Sequence, residues 1–135
     1  MDQIEIFAPA SVANVSCGFD VLGFCLEPIG DIMRVTKTES PGVTIGSVTG
    51  QELPTDPLKN VASVAVLSLL KSFKSSYGFR IDIDKKIKPG SGIGSSAASA
   101  AGAVFAVNQL LGAPYSRREL IKFAIAGEAL ASGAK

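Results

Sequence analysis

The 135-residue chain contains no histidine and no tryptophan. Without histidine the usual general base near neutral pH is missing, so any catalysis must draw on carboxylates, lysine, hydroxyls, backbone amides or a metal. Aromatic residues make up only 7%, too few for a base-stacking platform. No charge of one sign dominates: 13 Lys and Arg against 12 Asp and Glu leave a net +1. That balance gives no electrostatic reason to bind nucleic acid or an anionic membrane. Cysteine is scarce. Cys17 and Cys25 do not form a C-x-x-C pair, and no histidine exists to complete a zinc site, so they read as free thiols in a reducing compartment. Long apolar runs are also missing. The most apolar stretch, residues 61–70, is too short to span a bilayer. The opening Met1-Asp2-Gln3-Ile4-Glu5 lacks the basic region and apolar run of a signal peptide. The expectation is a soluble cytoplasmic protein with no nucleic-acid or membrane partner.

What is present is a core-forming composition, 47% hydrophobic and 19% charged, enough for one domain. No internal repeat or low-complexity segment occurs. Residues 3–8 alternate Ile4 and Ile6 with polar neighbours and predict a strand. Residues 9–14 are small and polar and predict a loop. Residues 21–26 and 32–38 read as two strands separated by Pro28 and Gly30, and residues 43–48 as another. Pro54 and Pro57 mark turns. Asn60 is a good helix N-cap for a helix over residues 61–73, which is apolar almost all round and so is expected to be central. After Gly78, Phe79, Ile81 and Ile83 alternate with Arg80, Asp82 and Asp84, the pattern of a half-exposed antiparallel strand. A glycine-rich loop then leads into a small-residue helix over residues 95–111, closed by Gly112. Ser116-Arg117-Arg118-Glu119 is a capping box opening a last helix to about Ser132. Strands first and packed helices after predict an α+β fold, a mixed or antiparallel sheet packed against helices.

The loop carries the chemistry. Gly90, Gly92 and Gly94 alternate, with hydroxyls at Ser91, Ser95 and Ser96. Glycine lets backbone N–H groups face a ligand, and the following helix start adds free N–H groups and about half a positive charge. Together these make an anion site. A Walker loop is excluded because Gly94 is followed by Ser95 rather than lysine. Residues 92–97 fit the dinucleotide pattern G-x-G-x-x-A, but the preceding strand is half charged. The region about 20 residues on opens a helix at Arg117 and Arg118 instead of closing a strand on an acid. A glycine- and serine-rich turn without a ligand stays open on the loop alone.

A longer match decides more. Residues 89–98, Pro-Gly-Ser-Gly-Ile-Gly-Ser-Ser-Ala-Ala, resemble the central ATP-binding motif of the GHMP kinases. Residues 8–23, from Ala8-Pro9-Ala10-Ser11 through Asn14 to Asp20 and Gly23, look like the N-terminal motif of the homoserine kinase branch. Residues 54–62 and 127–135 are similar to two further segments. The resemblance implies ATP-dependent phosphorylation of the side-chain hydroxyl of L-homoserine, a step of threonine biosynthesis, with bound Mg²⁺ and a homodimer in the full-length protein. Family members continue into a His-Ala-Asp-Asn segment, a later glycine-rich motif and substrate arginines. The implied organisation is therefore a truncated N-terminal, ATP-binding domain over residues 1–135, its C-terminal domain absent and the fragment inactive alone. A mevalonate-like substrate, or a nucleotide-binding module without catalysis, are the alternatives.

The same resemblance distributes roles. The ATP phosphate loop is Lys88, Pro89, Gly90, Ser91, Gly92, Ile93, Gly94, Ser95, Ser96, Ala97 and Ala98. Asn60, Val61 and Lys85 fall at the adenine, although an N-cap role for Asn60 and solvated charge for Lys85, Lys86 and Lys88 remain open. Asn14 and Asp20 carry over as homoserine contacts, Asp20 facing the substrate ammonium, while turn chemistry is the plainer reading of both. Ser96 and Glu128 carry over as Mg²⁺ ligands. The residue pattern lends Glu128 its own weight: it extends the apolar row Ile121, Ala124 and Ile125, away from Arg118 and Lys122. An acid on such a face is unusual unless paired or metal-bound, and a solvated helix-end acid is the alternative. No residue is assigned as a catalytic base.

Overall fold

The computed structural model describes residues 2–12, 24–86 and 95–132, and the side chains of 9–12, 24–29, 95–96 and 130–132 lie outside that description. The elements run β1 (Gln3–Val12), β2 (Phe24–Thr38), β3 (Gly42–Thr49), α1 (Val61–Ser72), β4 (Gly78–Asp84), α2 (Ser95–Leu110) and α3 (Arg117–Ser132). Among the described residues they form one four-stranded sheet in the order β1-β2-β4-β3. The mixed α+β class expected from the sequence holds.

The alternation in β4 becomes the floor of the core. Phe79, Ile81 and Ile83 are buried together with Met33 and Val35 of β2, which lie across the ladder as Met33↔Ile83 and Val35↔Ile81. The opposite face is polar, with Arg34 bonded to Glu5 at 2.7 Å and Arg80 to Asp82 at 3.2 Å. Successive residues of a strand point to opposite faces, so this division follows directly from the period-2 pattern.

Three local expectations need correction. β1 does not end at Ala8 but continues through Pro9 to Val12. The two strands expected on either side of Pro28 and Gly30 are one, β2. The register explains both: Pro9 faces Gly30 but Ala10 faces Leu26, so residues 27–29 bulge out of the ladder. A proline has no N–H to give the ladder, and a bulge is where a strand tolerates one. The third correction concerns β4, which is antiparallel to β2 but parallel to β3. Parallel neighbours need a long crossover, and α1 supplies it, so a βαβ unit sits inside the otherwise antiparallel sheet.

The helices follow the sequence closely. The Asn60 side chain accepts from the N–H groups of Ala62 and Ser63 and caps α1. α2 ends in a Schellman arrangement: Gly112 has φ +88°, Ala113 N donates to the Asn108 carbonyl and Gly112 N to that of Gln109. Ser116 and Glu119 bond reciprocally at 2.9 and 3.2 Å, completing the capping box that opens α3. The three helices pack on one another, and α2 also packs on β1 and β2. The residues between them are small: Ala62, Ala65, Ala100, Ala103 and Ala106 are all buried.

Candidate functional site

The site is organised by how closely the helices approach. Gly127 of α3 is the tightest point. A Cβ there would stand 2.6 Å from the Val61 carbonyl oxygen, 3.0 Å from the Ala65 Cβ and 3.3 Å from the Ala100 Cβ. Thus α3 crosses the first turn of α1 and the second turn of α2 at one residue. Ser96 stands one turn before Ala100 in α2, and Glu128 follows Gly127. The crossing therefore sets the start of α1 and the second turn of α2 against the residue before Glu128, features the sequence had spread over residues 60–128.

Glu128 itself is partly buried, and its carboxylate makes no ion pair or hydrogen bond with another described residue. Its apolar row differs from the expectation, however. Ile121 and Ile125 are 56% and 59% exposed, and the core-facing residues of α3 are Leu120, Phe123 and Gly127. Ile121 and Ile125 lie on the outside of the helix while Ala124, between them in the row, packs against the core, so apolar burial alone is not what marks Glu128. Its place beside the helix crossing is. Among the described residues no three acid, His or Cys side chains gather into a metal cage.

Asn60 is 3% exposed. Besides capping α1, its amide Nδ2 donates to the Pro54 carbonyl at 2.9 Å, and Ser63 Oγ donates to the Pro57 carbonyl. These bonds hold the 54–60 segment against the start of α1. Next to it, residues Val48, Gln51, Glu52, Leu53, Pro54 and Thr55 line an open cleft of about 550 Å³. Val61 is the first residue of α1 and is half-buried.

Lys85 is not a solvated charge. Its side chain is 1% exposed and its Nζ lies 2.5 Å from Asp31 Oδ2, itself 0% exposed. The same ammonium donates to Ser99 Oγ at 3.0 Å, and the Lys86 N–H donates to Asp31 Oδ1 at 2.7 Å. Burial pushes the lysine below its ordinary value of 10.5, against the hydrogen bond and charge of Asp31, which pull it upward. The ammonium is thus engaged inside the protein, and the backbone is held too, with the Lys85 N–H donating to the Thr49 carbonyl at 2.8 Å. Asp31 and Ser99 were not singled out from the sequence. A signal existed: Asp31 continues the inward row of Met33 and Val35, and Lys85 that of Phe79, Ile81 and Ile83, two opposite charges each in phase with buried residues.

Of the phosphate-loop residues, Lys88, Pro89, Gly90, Ser91, Gly92, Ile93 and Gly94 lie outside the described residues, as do Asn14 and Asp20. Ser95 and Ser96 open α2. Ala97 and Ala98 line an apolar groove of about 350 Å³ with Ile6, Phe7, Ala8 and Phe105. The N-terminal motif starts at Ala8 on β1, so that motif and the helix after the glycine loop meet across this groove.

The fold and sequence match known proteins. A homoserine kinase from Chloroherpeton thalassium is 46% identical over 98% of this chain and 46% of its own length. One from Xylella fastidiosa strain M12 is 43% identical over 98% of this chain and 42% of its own. The chain therefore spans less than half the length of the curated relatives it matches. The crystal structure of homoserine kinase from Cytophaga hutchinsonii superposes with a TM-score of 0.91 at 46% identity, covering 99% of this chain and 43% of that one. The family model of the GHMP kinases N terminal domain matches residues 60–135, which takes in the capped start of α1, the loop, α2 and the Gly127 crossing. On that match, more than half of its length, the chain belongs to the GHMP kinase family.

Proposed function

We propose that the chain supplies the N-terminal, nucleotide-binding half of an ATP-dependent kinase. The kinase transfers the γ-phosphoryl group to the side-chain hydroxyl of L-homoserine, giving O-phospho-L-homoserine for threonine biosynthesis. The observation that carries this reading is the three-helix crossing at Gly127, where α3, one residue before Glu128, meets the first turn of α1 and the second turn of α2. The homoserine kinases of similar sequence support the choice of substrate.

Phosphoryl transfer is largely positioning and neutralisation of charge, with little covalent work for the protein. The free N–H groups at the start of α2, with the glycine-rich residues 90–94 before it, suit the phosphates. The cleft beside Pro54 and the capped start of α1 suit the adenine, with Asn60 holding the 54–60 segment and Lys85 behind it, buried on Asp31 and Ser99. One carboxylate and one hydroxyl, Glu128 and Ser96, are a donor set that fits Mg²⁺, which favours few protein ligands with phosphate oxygens and waters completing its shell. When bound there, the ion supplies charge neutralisation between the phosphates. Asn14 and Asp20 contact homoserine, Asp20 facing the ammonium group. No histidine is present in the chain to act as base, and a loose transition state leaves the hydroxyl proton in place until late. The whole protein acts as a homodimer in the cytoplasm; among the described residues no helix is long and apolar enough to cross a membrane.

The test is a phosphorylation assay of the full-length protein with γ-labelled ATP, offering homoserine and mevalonate side by side. Label should appear on homoserine alone. Glu128→Gln should reduce turnover and move the Mg²⁺ titration to higher concentration. ATP-dependent stabilisation without transfer to homoserine would discard the kinase reading in favour of a binding module.

A further inference from the structure

We infer that Asp31, acting through Lys85 and Ser99, is a positioning residue that fixes both stems of the glycine-rich loop. β4 ends at Asp84, and the glycine-rich residues fall between Lys86 and Ser95, the described residues on either side. One buried ion pair reaches both sides of that gap. Asp31 Oδ1 accepts from the Lys86 N–H at 2.7 Å, at the outgoing stem. Asp31 Oδ2 holds the Lys85 ammonium at 2.5 Å, and that ammonium donates to Ser99 Oγ at 3.0 Å, in the first turns of α2 on the returning side. Three elements, β2, the end of β4 and α2, are joined by directional bonds through two side chains that are 0% and 1% exposed.

An apolar pair of the same volume would fill this space equally well, and a buried ion pair rarely stabilises more than such a pair does. What the charges add is direction. An ammonium with three donors and a carboxylate with two oxygens set angles and distances between the stems that a methyl contact does not. Direction matters here because glycine constrains the backbone less than any other residue, so on the nucleotide reading the directional bonds at Lys86 and Ser99 are what the described ends contribute. The inference rests on the nucleotide reading of that loop.

The experiment compares full-length wild type with Asp31→Asn, Lys85→Met and the double variant. Each single change strands one buried charge and should lower the melting temperature, to the point of misfolding in the worse case. The double variant removes both charges, keeps an oxygen for the Lys86 N–H, and should recover most of the melt. Its KM for ATP should nonetheless stay raised at least about tenfold, as displaced contacts cost, with the KM for homoserine within about twofold of wild type. Amide hydrogen exchange across residues 87–94 should be faster in the double variant than in wild type. If the double variant recovers the ATP KM together with the melt, the pair is only structural and the inference fails. It fails equally if both substrate KM values rise alike, or if exchange across the loop is unchanged. Wild type that neither turns over nor is stabilised by ATP would remove the nucleotide reading alone, and the exchange rates would then decide the positioning role by themselves.

Discussion

Replacing Gly127 by alanine sets two effects of opposite sign against each other. In the middle of a helix alanine is better than glycine by about 1 kcal/mol. Gly127 is inside α3, so on propensity alone the variant should be more stable. The structure opposes this. The new Cβ would stand 2.6 Å from the carbonyl oxygen of Val61 and 3.0 Å from the Ala65 Cβ. The first neighbour is backbone at the capped start of α1 and has no rotamer to yield with, so α1 and α3 must separate. Overpacking a tight contact costs about 1–3 kcal/mol, and a contact with fixed backbone belongs at the upper end. The net is a loss of about 2 kcal/mol, a fall of roughly 4–8 °C in melting temperature at 150–250 residues and less in a longer chain. Thermal melts of the full-length protein measure it. Because Glu128 follows directly, the Mg²⁺ concentration for half-maximal activity should rise with the loss of stability. A variant that melts at or above wild type would refute the close-crossing argument, since it would mean the helices can give way at no cost.

The other expectations are smaller. Asn60→Ala removes the cap of α1 and leaves the Pro54 carbonyl without its donor, for a combined loss of about 2 kcal/mol in urea unfolding. Asn60→Asp keeps the cap and should lose less, so equal losses would show that capping is not the main term. Asp82 gives a pH dependence. Desolvation raises its carboxyl, but the Ser47 N–H at 2.7 Å, the Arg80 charge and the Ser47 hydroxyl together hold it below its ordinary 3.8. A carboxylate depressed in the folded state contributes stability above its unfolded value and loses it as pH falls through the folded one. Asp82→Asn should therefore flatten the acid limb of the stability curve below about pH 4; an unchanged limb would place the titration elsewhere.

The fold was legible where local chemistry decides it. The Asn60 cap, the Ser116–Glu119 box, the Gly112 helix end and the alternation of residues 79–84 each depend on neighbours within a few positions, and each appears in the structure. The misses are all matters of pairing. Pro9, Pro28 and Gly30 read as strand breakers because each alone weakens a ladder, yet aligned against each other across β1 and β2 they fit one bulge. The parallel partner of β4 could not be read from β4, whose pattern is the same beside either kind of neighbour. Ile121 and Ile125 show the limit of periodicity. An apolar row on a helix says that a face is apolar, not which face meets the core, and here Leu120 and Phe123 meet it instead.

The candidate site was legible in its parts and not in its assembly. The glycine loop, Glu128 and Asn60 each carry a local signal, but what relates them is a residue with no side chain. Helices that approach within the width of a glycine do so because nothing stands between them. Ala62, Ala65, Ala100 and Gly127 act by what they lack, and composition reads them only as small. The distance from the start of α2 to Glu128 is set by that run of small residues in the same way that a spacer sets a gap. Enlarging any one of them should move α2 relative to Glu128 without touching a polar side chain. The buried Asp31–Lys85 pair works at the other end of the same helix start, through bonds instead of absence. Between them, α2 is fixed on its α1 and α3 side by close packing and on its sheet side by charge.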